Sequence, residues 1–285
     1  MKPTVRMIPF LKRTTKSRTG GFGRIGSCTL VFFSLTLLTG CGSGGGRGTM
    51  QMGGAIQGTA LNLSRTVTTL AGTANLKGST DGTGAAARFD NPCQITTDGT
   101  TLYVADRSNH AIRKIVIATS EVTTLAGTAG QSGSTDGTGV AARFNDPCQI
   151  TTDGMTLYVA DRDNHTIRKI DIVTGDVTTL AGTAGDPGFM DTDEPPGTRQ
   201  PKFTNPIVIT TDGTSLYAAD TWNDTIRKVV IATGDVTTPA GLATDPGSAD
   251  GTGNAVRFNM PWGVTTDGTN LYVADRFNNT IRKIR

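Results

Sequence analysis

A five-residue stretch, Leu102-Tyr103-Val104-Ala105-Asp106, marks the unit from which this chain is built. Three similar stretches follow it: Leu157-Tyr158-Val159-Ala160-Asp161, Leu216-Tyr217-Ala218-Ala219-Asp220 and Leu271-Tyr272-Val273-Ala274-Asp275. Their aspartates are 55, 59 and 55 residues apart. A near-constant period is typical of repeat architectures, in which each period forms one supersecondary unit. Residues 65–285 of this chain of 285 residues are therefore interpreted as four copies of a unit of about 55 residues.

Each unit divides into four short strands separated by turn residues. In the first complete unit the expected strands cover residues 94–97, 102–105, 112–117 and 122–126. The pair Asp98-Gly99 suits a tight hairpin turn, and residues 106–109 suit a turn capped by Asp and Asn side chains. A charged fraction of only 18% also favours a turn-rich all-β domain over a helical one. Four strands per unit are the content of one β-propeller blade.

These motifs resemble the NHL repeat, whose core reads as a Leu-Tyr-Val-Ala-Asp strand, an Asn-His turn and an Ile-Arg-Lys strand. Asn109-His110 with Ile112-Arg113-Lys114 matches this core, and the second unit repeats the match. The resemblance covers residues 65–285 and implies a propeller. The family's repeats are usually shorter and its propellers usually have six blades, so the blade number has to come from the chain itself.

The two ends of the repeat region complement each other. A fourth-strand sequence, Val67-Thr68-Thr69-Leu70-Ala71-Gly72, precedes the first complete unit, and the last unit stops after its third strand. Propellers commonly join the first blade to the last in this way, which protects strand edges. We therefore expect four blades closed by an N-terminal strand, the alternative being a fragment of a larger wheel.

The N-terminal region has the pattern of an export signal. Residues 1–40 hold seven cations and no acid, and the apolar run 29–38 has the length of a signal-peptide core. The run ends in Leu38-Thr39-Gly40-Cys41, which resembles the lipobox of bacterial lipoproteins. The resemblance implies that Cys41 carries lipid and that residues 41–64 form a Gly-rich tether. It also implies a cell-envelope location, in the outer membrane if the organism has two; an ordinary secretory signal is the alternative.

Charge argues against a nucleic-acid partner. The formal charge of +3 includes the basic leader, and without those seven cations the remaining chain is acidic. An acidic domain has no basic stripe for a phosphate backbone. We expect an unknown protein, peptide or glycan partner, with the membrane contacted through the lipid anchor.

Residues with catalytic or metal-binding chemistry are better explained by folding. Each unit repeats one Asp and one Arg, which could pair across a hairpin: Asp106 with Arg113, Asp161 with Arg168, Asp220 with Arg227 and Asp275 with Arg282. His110 and His165 occupy one turn position, and no further ligands accompany them. We assign no catalytic residue, no metal ligand and no cofactor, and we regard enzymatic activity as uncertain.

Two kinds of acidic loop and one pair of cysteines have more than one interpretation. The Asp-Gly-Thr-Gly loops at Asp81, Asp136 and Asp250 lack the acid spacing of a calcium loop, whereas residues 186–194 hold a denser acidic cluster. Cys93 and Cys148 occupy equivalent positions and are candidates for a disulfide, provided that their Cα atoms lie within about 7 Å.

Two columns of the repeat differ strongly between units. The turn after the repeated Asp carries Trp222 and Phe277 in the last two units, and Trp262 follows the Pro that begins the last unit's first strand. These turns and strand starts should share one face of the propeller. Aromatic side chains there predict a binding scaffold acting through this loop face. The alternatives are a propeller hydrolase or lyase with a metal in the central channel, and a purely structural envelope protein.

Overall fold

The computed structural model describes residues 63–192 and 200–285. Three predicted features lie outside these residues: the signal peptide, the lipidation of Cys41 and nearly all of the Gly-rich tether. Strands predominate in the described part of the chain, and its helices are single 3₁₀ turns. None of these helices has the length and apolar character needed to span a bilayer.

Seventeen strands form four antiparallel sheets, one for each predicted unit. The first blade contains β1 (Gly82–Thr83), β2 (Pro92–Thr97), β3 (Thr101–Asp106), β4 (Ala111–Val116) and β5 (Glu121–Gly127). The second contains β6 (Gly137–Thr138), β7 (Pro147–Thr152), β8 (Thr156–Asp161), β9 (Thr166–Asp171) and β10 (Asp176–Ala181). The third contains β11 (Pro206–Thr211), β12 (Ser215–Asp220), β13 (Thr225–Val230) and β14 (Val236–Ala240), and the fourth β15 (Pro261–Thr266), β16 (Leu271–Asp275) and β17 (Thr280–Ile284). The all-β propeller of four NHL-like blades is confirmed.

Short 3₁₀ turns connect the second and third strands of every blade: Arg107–Asn109, Arg162–Asn164, Thr221–Asn223 and Arg276–Asn278. Two more, Gly84–Ala86 and Gly139–Ala141, lie in the loops that enter the first and second blades. Each connecting turn ends at a residue with left-handed backbone, such as His110 with φ 53°. This left-handed residue lets the chain reverse, and the following strand begins at the next position.

The blades pack face to face through apolar side chains that alternate along the strands. Tyr103 and Ile112 of the first blade pack against Ile150 and Val159 of the second. Equivalent clusters join the second blade to the third and the third to the fourth. The first strands, β2, β7, β11 and β15, lie side by side in that order. This order places them innermost, as expected for a propeller.

A buried ion pair links the second and third strands of each blade, as the repeated Asp and Arg predict. In the second blade, Arg168 donates to Asp161 over 2.9 Å, and both side chains are fully buried. Arg168 also donates to the Arg143 and Thr135 carbonyls and to Asp136 in the entering loop. Its guanidinium lies over the Phe144 ring at 5.2 Å. One side chain thus joins two strands and the loop that leads into the blade.

The predicted closure by the N-terminal strand is not observed. Residues 67–71 form no strand, and β17 pairs only with β16, which leaves its outer edge free among the described residues. Gly72 donates its N–H to the Gly84 carbonyl, which holds the end of this segment at the first blade. The packing that joins successive blades does not connect β15 to β2, so β17 and residues 67–71 lie at opposite ends of an arc.

Replacing the buried arginine tests the importance of this ion pair. Arg168→Ala should lower the free energy of unfolding by about 3 to 5 kcal/mol, because it leaves the Asp161 carboxylate buried without its cation. Urea unfolding of the full chain measures the loss. Lys169→Ala, a change at the neighbouring exposed residue of β9, is the control and should stay within about 0.5 kcal/mol. Equal losses in both variants would contradict the assignment.

Candidate interaction face

The connecting 3₁₀ turns lie beside the beginnings of the innermost strands. The Ser108 N–H donates to the Asp90 carbonyl just before β2, and the Phe277 N–H donates to the Asn259 carbonyl just before β15. These bonds place the turns and the entering loops on one face of the propeller, as the sequence predicts. We call this the loop face; the Asp-Gly turns lie on the opposite face.

The two histidines bind the neighbouring blade. Nδ1 of His110 accepts the Asp146 N–H at 3.1 Å, and Nδ1 of His165 accepts the Asn205 N–H at 3.1 Å. In the third blade a carboxylate oxygen of Asp224 accepts an equivalent N–H. Burial lowers the pKa of His165, which favours the neutral ring that this acceptor role requires. The histidine positions therefore serve contacts between blades.

The aspartates of the entering loops have similar structural roles. Asp136 accepts from Arg168 at 2.7 Å and from the hydroxyl of Thr179 at 3.0 Å. Asp191 does the same for Arg227 and Thr238, although it lies in the loop with the acidic cluster. Asp186 of the same loop pairs with Lys202 over 2.7 Å, and the other two acids, Asp193 and Glu194, lie outside the described residues. Within residues 63–192 and 200–285, no three His, Cys, Asp or Glu side chains come together as a metal site would require.

An arginine joins two of the predicted aromatic residues. Trp262, Phe277 and Trp222 are 40%, 56% and 60% exposed, so Trp262 is the most sheltered of the three. The Arg276 guanidinium lies 4.5 Å from the centre of the Trp262 ring and 5.2 Å from that of Phe277. Trp222 lies in the equivalent turn of the third blade. The structure thus brings Trp262 and Phe277 together and gives them a cation that the sequence reasoning missed.

Arg276 differs from its counterparts in the first two blades. Arg107 and Arg162 both bind the Asp146 carboxylate, each over 2.7 Å. Arg276 forms no ion pair in the described part of the chain. Its charge is therefore available to a ligand, and the two rings beneath it hold the side chain by cation–π contact. In the sequence, Arg276 could have been recognised by its position directly before Phe277, in the unit whose other variable position is occupied by Trp262.

Cys93 and Cys148 face each other across the first two inner strands. Their sulfur atoms are 2.7 Å apart, close enough for an oxidant to join them into a disulfide. A hydrogen bond from Cys148 is the main cause that lowers the pKa of Cys93 to about 7, and the cations of Arg107 and Arg162 add to it. The same bond and burial raise the pKa of Cys148. In the reduced protein Cys93 is thus the more reactive thiol.

Comparison with known proteins identifies the repeat. NHL repeat-containing protein 2 of Bos taurus is 40% identical over 108 residues, which are 36% of this chain and 15% of that protein. The repeats are NHL repeats. Protein SUPPRESSOR OF QUENCHING 1, chloroplastic, of Arabidopsis thaliana is 37% identical over 102 residues, 35% of this chain and 10% of that protein. The chain therefore spans a small part of the length of these relatives. No family model matches it.

A solved structure confirms the fold of this NHL-repeat chain. An auxiliary nutrient binding protein from Bacteroides thetaiotaomicron superposes with a TM-score of 0.50 at 21% sequence identity. The superposition covers 65% of this chain and 45% of that one. At this identity the likeness concerns the propeller architecture alone.

The reactivity of Cys93 provides a pH-dependent test. In the reduced protein, alkylation of Cys93 by iodoacetamide should rise with pH around a midpoint near 7, because the thiolate is the nucleophile. In Cys148→Ala the midpoint should move towards about 8.5, the value of a free cysteine. Peptide mass spectrometry measures the labelled fraction. Identical profiles in the two proteins would contradict the hydrogen bond between the thiols.

Proposed function

We propose that this protein is a lipid-anchored propeller scaffold of the cell envelope that binds its partner through the loop face. The single observation that carries the binding proposal is the cation–π contact of Arg276 with the exposed rings of Trp262 and Phe277. Trp, Tyr and Arg are the side chains most often found at the energetic centre of protein contacts, and Phe is enriched in interfaces generally. Aromatic rings also offer flat surfaces for sugars and peptides.

The chemistry of this site favours a partner with an anionic group. Arg107 and Arg162 both pair with Asp146, and Arg162 also pairs with Asp163, whereas Arg276 has no carboxylate partner in the described part of the chain. A carboxylate of a peptide, protein or acidic glycan could take that place in a bidentate pair with the guanidinium. The adjacent rings would then contact the apolar part of the same ligand. We propose that the partner presents both features.

The remainder of the structure supports a scaffold in preference to an enzyme. A hydrolase or lyase with a metal in the central channel is the alternative, and it would need convergent His, Asp or Glu ligands. The ionisable groups repeated in every blade instead hold strands and loops together, as Arg168 and Asp161 do. The auxiliary nutrient binding protein from Bacteroides thetaiotaomicron shares only the fold with this chain.

Loss of Trp222 and Phe277, the two more exposed aromatic residues of the loop face, provides the test of partner binding. Trp222→Ala/Phe277→Ala should weaken binding about thirtyfold, because aromatic anchors commonly contribute about 2 kcal/mol or more. Both residues are exposed, so the melting temperature should be unchanged. Proteins that the domain captures from envelope extracts are identified by mass spectrometry, and binding is measured on arrays of acidic peptides and glycans.

Arg276→Gln should reduce binding to anionic ligands selectively.

A matched control changes apolar residues on the opposite face. Met155 follows an Asp-Gly turn and Val173 lies in the turn after β9, and both are highly exposed. Met155→Ala/Val173→Ala should bind as the wild type does. If the loop-face variant and this control show the same partner profile as the wild type, the loop face is not the binding surface.

The lipid anchor is tested by changing Cys41. Cys41→Ser should move the protein from the detergent phase to the aqueous phase in a cloud-point partition, since the thiol that would carry the lipid is gone. Cys28→Ser, within the predicted leader, is the control and should partition as the wild type does. A Cys41→Ser protein that still partitions into detergent would refute the anchor.

A further inference from the structure

One face of the first blade has no blade against it. Its side chains Ile95, Val104 and Ile115 occupy the positions that Ile150, Val159 and Ile170 hold in the second blade, where the first blade covers them. Ile95 is 51% exposed, whereas Ile150 is 2% exposed. This face therefore presents one half of the contact that joins successive blades.

The fourth blade presents the other half. Ile281 and Tyr272 occupy the positions of Ile226 and Tyr217, against which the fourth blade packs. Ile281 is 74% exposed, whereas Ile226 is fully buried at 0%. The two uncovered faces are complementary in the way that the three existing interfaces are. They lie at opposite ends of the arc.

Among the described residues, the fourth blade has three strands, and no outer strand pairs with β17. A groove of about 850 Å³ takes its place, lined by β17, the entering loop and residues such as Asp250, Phe258 and Ile284. In the other blades the entering-loop carboxylate binds the outer strand: Asp81 accepts the N–H and the hydroxyl of Thr124, and Asp136 those of Thr179. Asp250 binds only Arg282 in the described part of the chain, and its side chain is 94% exposed against 48% for Asp136.

The strand that fits this groove is present elsewhere in the chain. Residues 67–72 read Val-Thr-Thr-Leu-Ala-Gly, identical to residues 122–127 and 177–182 of two outer strands. Gly72 donates to the Gly84 carbonyl of the first blade, as Gly241 at the end of β14 donates to Gly253 of the fourth. Residues 71 and 72 are thus placed as the end of an outer strand from a preceding blade. Val67 lies exposed, with no strand beside it.

We propose that two copies of this chain close one ring head to tail. Residues 67–71 of each copy form the outer strand of the partner's fourth blade, and the face with Ile95 covers the partner's Ile281. Thr69, which corresponds to Thr124, binds Asp250 of the partner subunit.

A second copy is the occupant because the four blades of one chain keep β17 and residues 67–71 apart. Each copy carries both the strand segment and the apolar face that the other copy needs. The two identical contacts relate the copies by a two-fold axis and leave no free strand edge. The ring has eight blades, within the range of known propellers.

Mass and strand pairing test the assembly in the full chain extracted in detergent. Native mass spectrometry should give twice the mass of the chain. Thr69→Pro should give the monomer, because proline cannot donate at this position and disrupts pairing. Its melting temperature as a monomer should match that of diluted wild type, since residues 67–71 form no strand within the protomer. Leu63→Pro, upstream of the segment, is the control and should remain a dimer.

Cross-linking separates pairing between copies from pairing within one chain. Thr69→Cys and Asp250→Cys are introduced singly into a Cys93→Ser/Cys148→Ser background, and the two proteins are mixed before mild oxidation. A covalent dimer holding one copy of each is the expected result. A monomeric wild type, a ring of more than two copies, or an internal disulfide when both changes are made in one chain would overturn the proposal.

Discussion

A buried carboxylate–guanidinium pair in each blade holds the rest of the propeller in place. Asp161 accepts from Arg168, from the Asn164 amide of the connecting turn and from the Asn145 N–H that precedes the innermost strand. Burial raises the pKa of Asp161 to about 6, although these donors oppose the shift. A charge in this environment is tolerated only with its full set of partners. The network therefore determines how two strands, a turn and a loop must be arranged, and it does so in every blade.

Because this network engages the repeated Asp and Arg of each blade, the positions where the blades differ are the better candidates for contacts with a ligand. Arg276 illustrates the point. Its counterparts Arg107 and Arg162 converge on Asp146, whereas Arg276 is held by aromatic rings and keeps its charge accessible. The Cys93–Cys148 pair is a second such departure, since the equivalent column carries Ile207 and Trp262 in the other blades. Both groups lie where the innermost strands begin, near the loop face.

The same repetition explains what happens at the ends of the arc. Each blade interface needs one face from either side, and each sheet needs an outer strand for its entering-loop aspartate. A chain of four blades satisfies three interfaces and leaves one face of each kind exposed. These faces are apolar, as at Ile95 and Ile281, and no described strand pairs with the outer edge of β17. Uncovered faces and edges of this kind favour association with a matching surface.

The sequence by itself determined the repeat, the three innermost strands of each blade, their turns and the pairing of Asp106 with Arg113, because these depend on residues close together within one period. It also placed Trp222, Phe277 and Trp262 on one face, since the period assigns each to a turn or strand start. Only the tertiary structure decided which residues of different blades meet. The contact of Cys93 with Cys148, the stacking of Arg276 on Trp262 and the separation of β17 from residues 67–71 all depend on how each blade is rotated against the next. That rotation comes from side-chain packing between sheets, which no local pattern in the chain encodes.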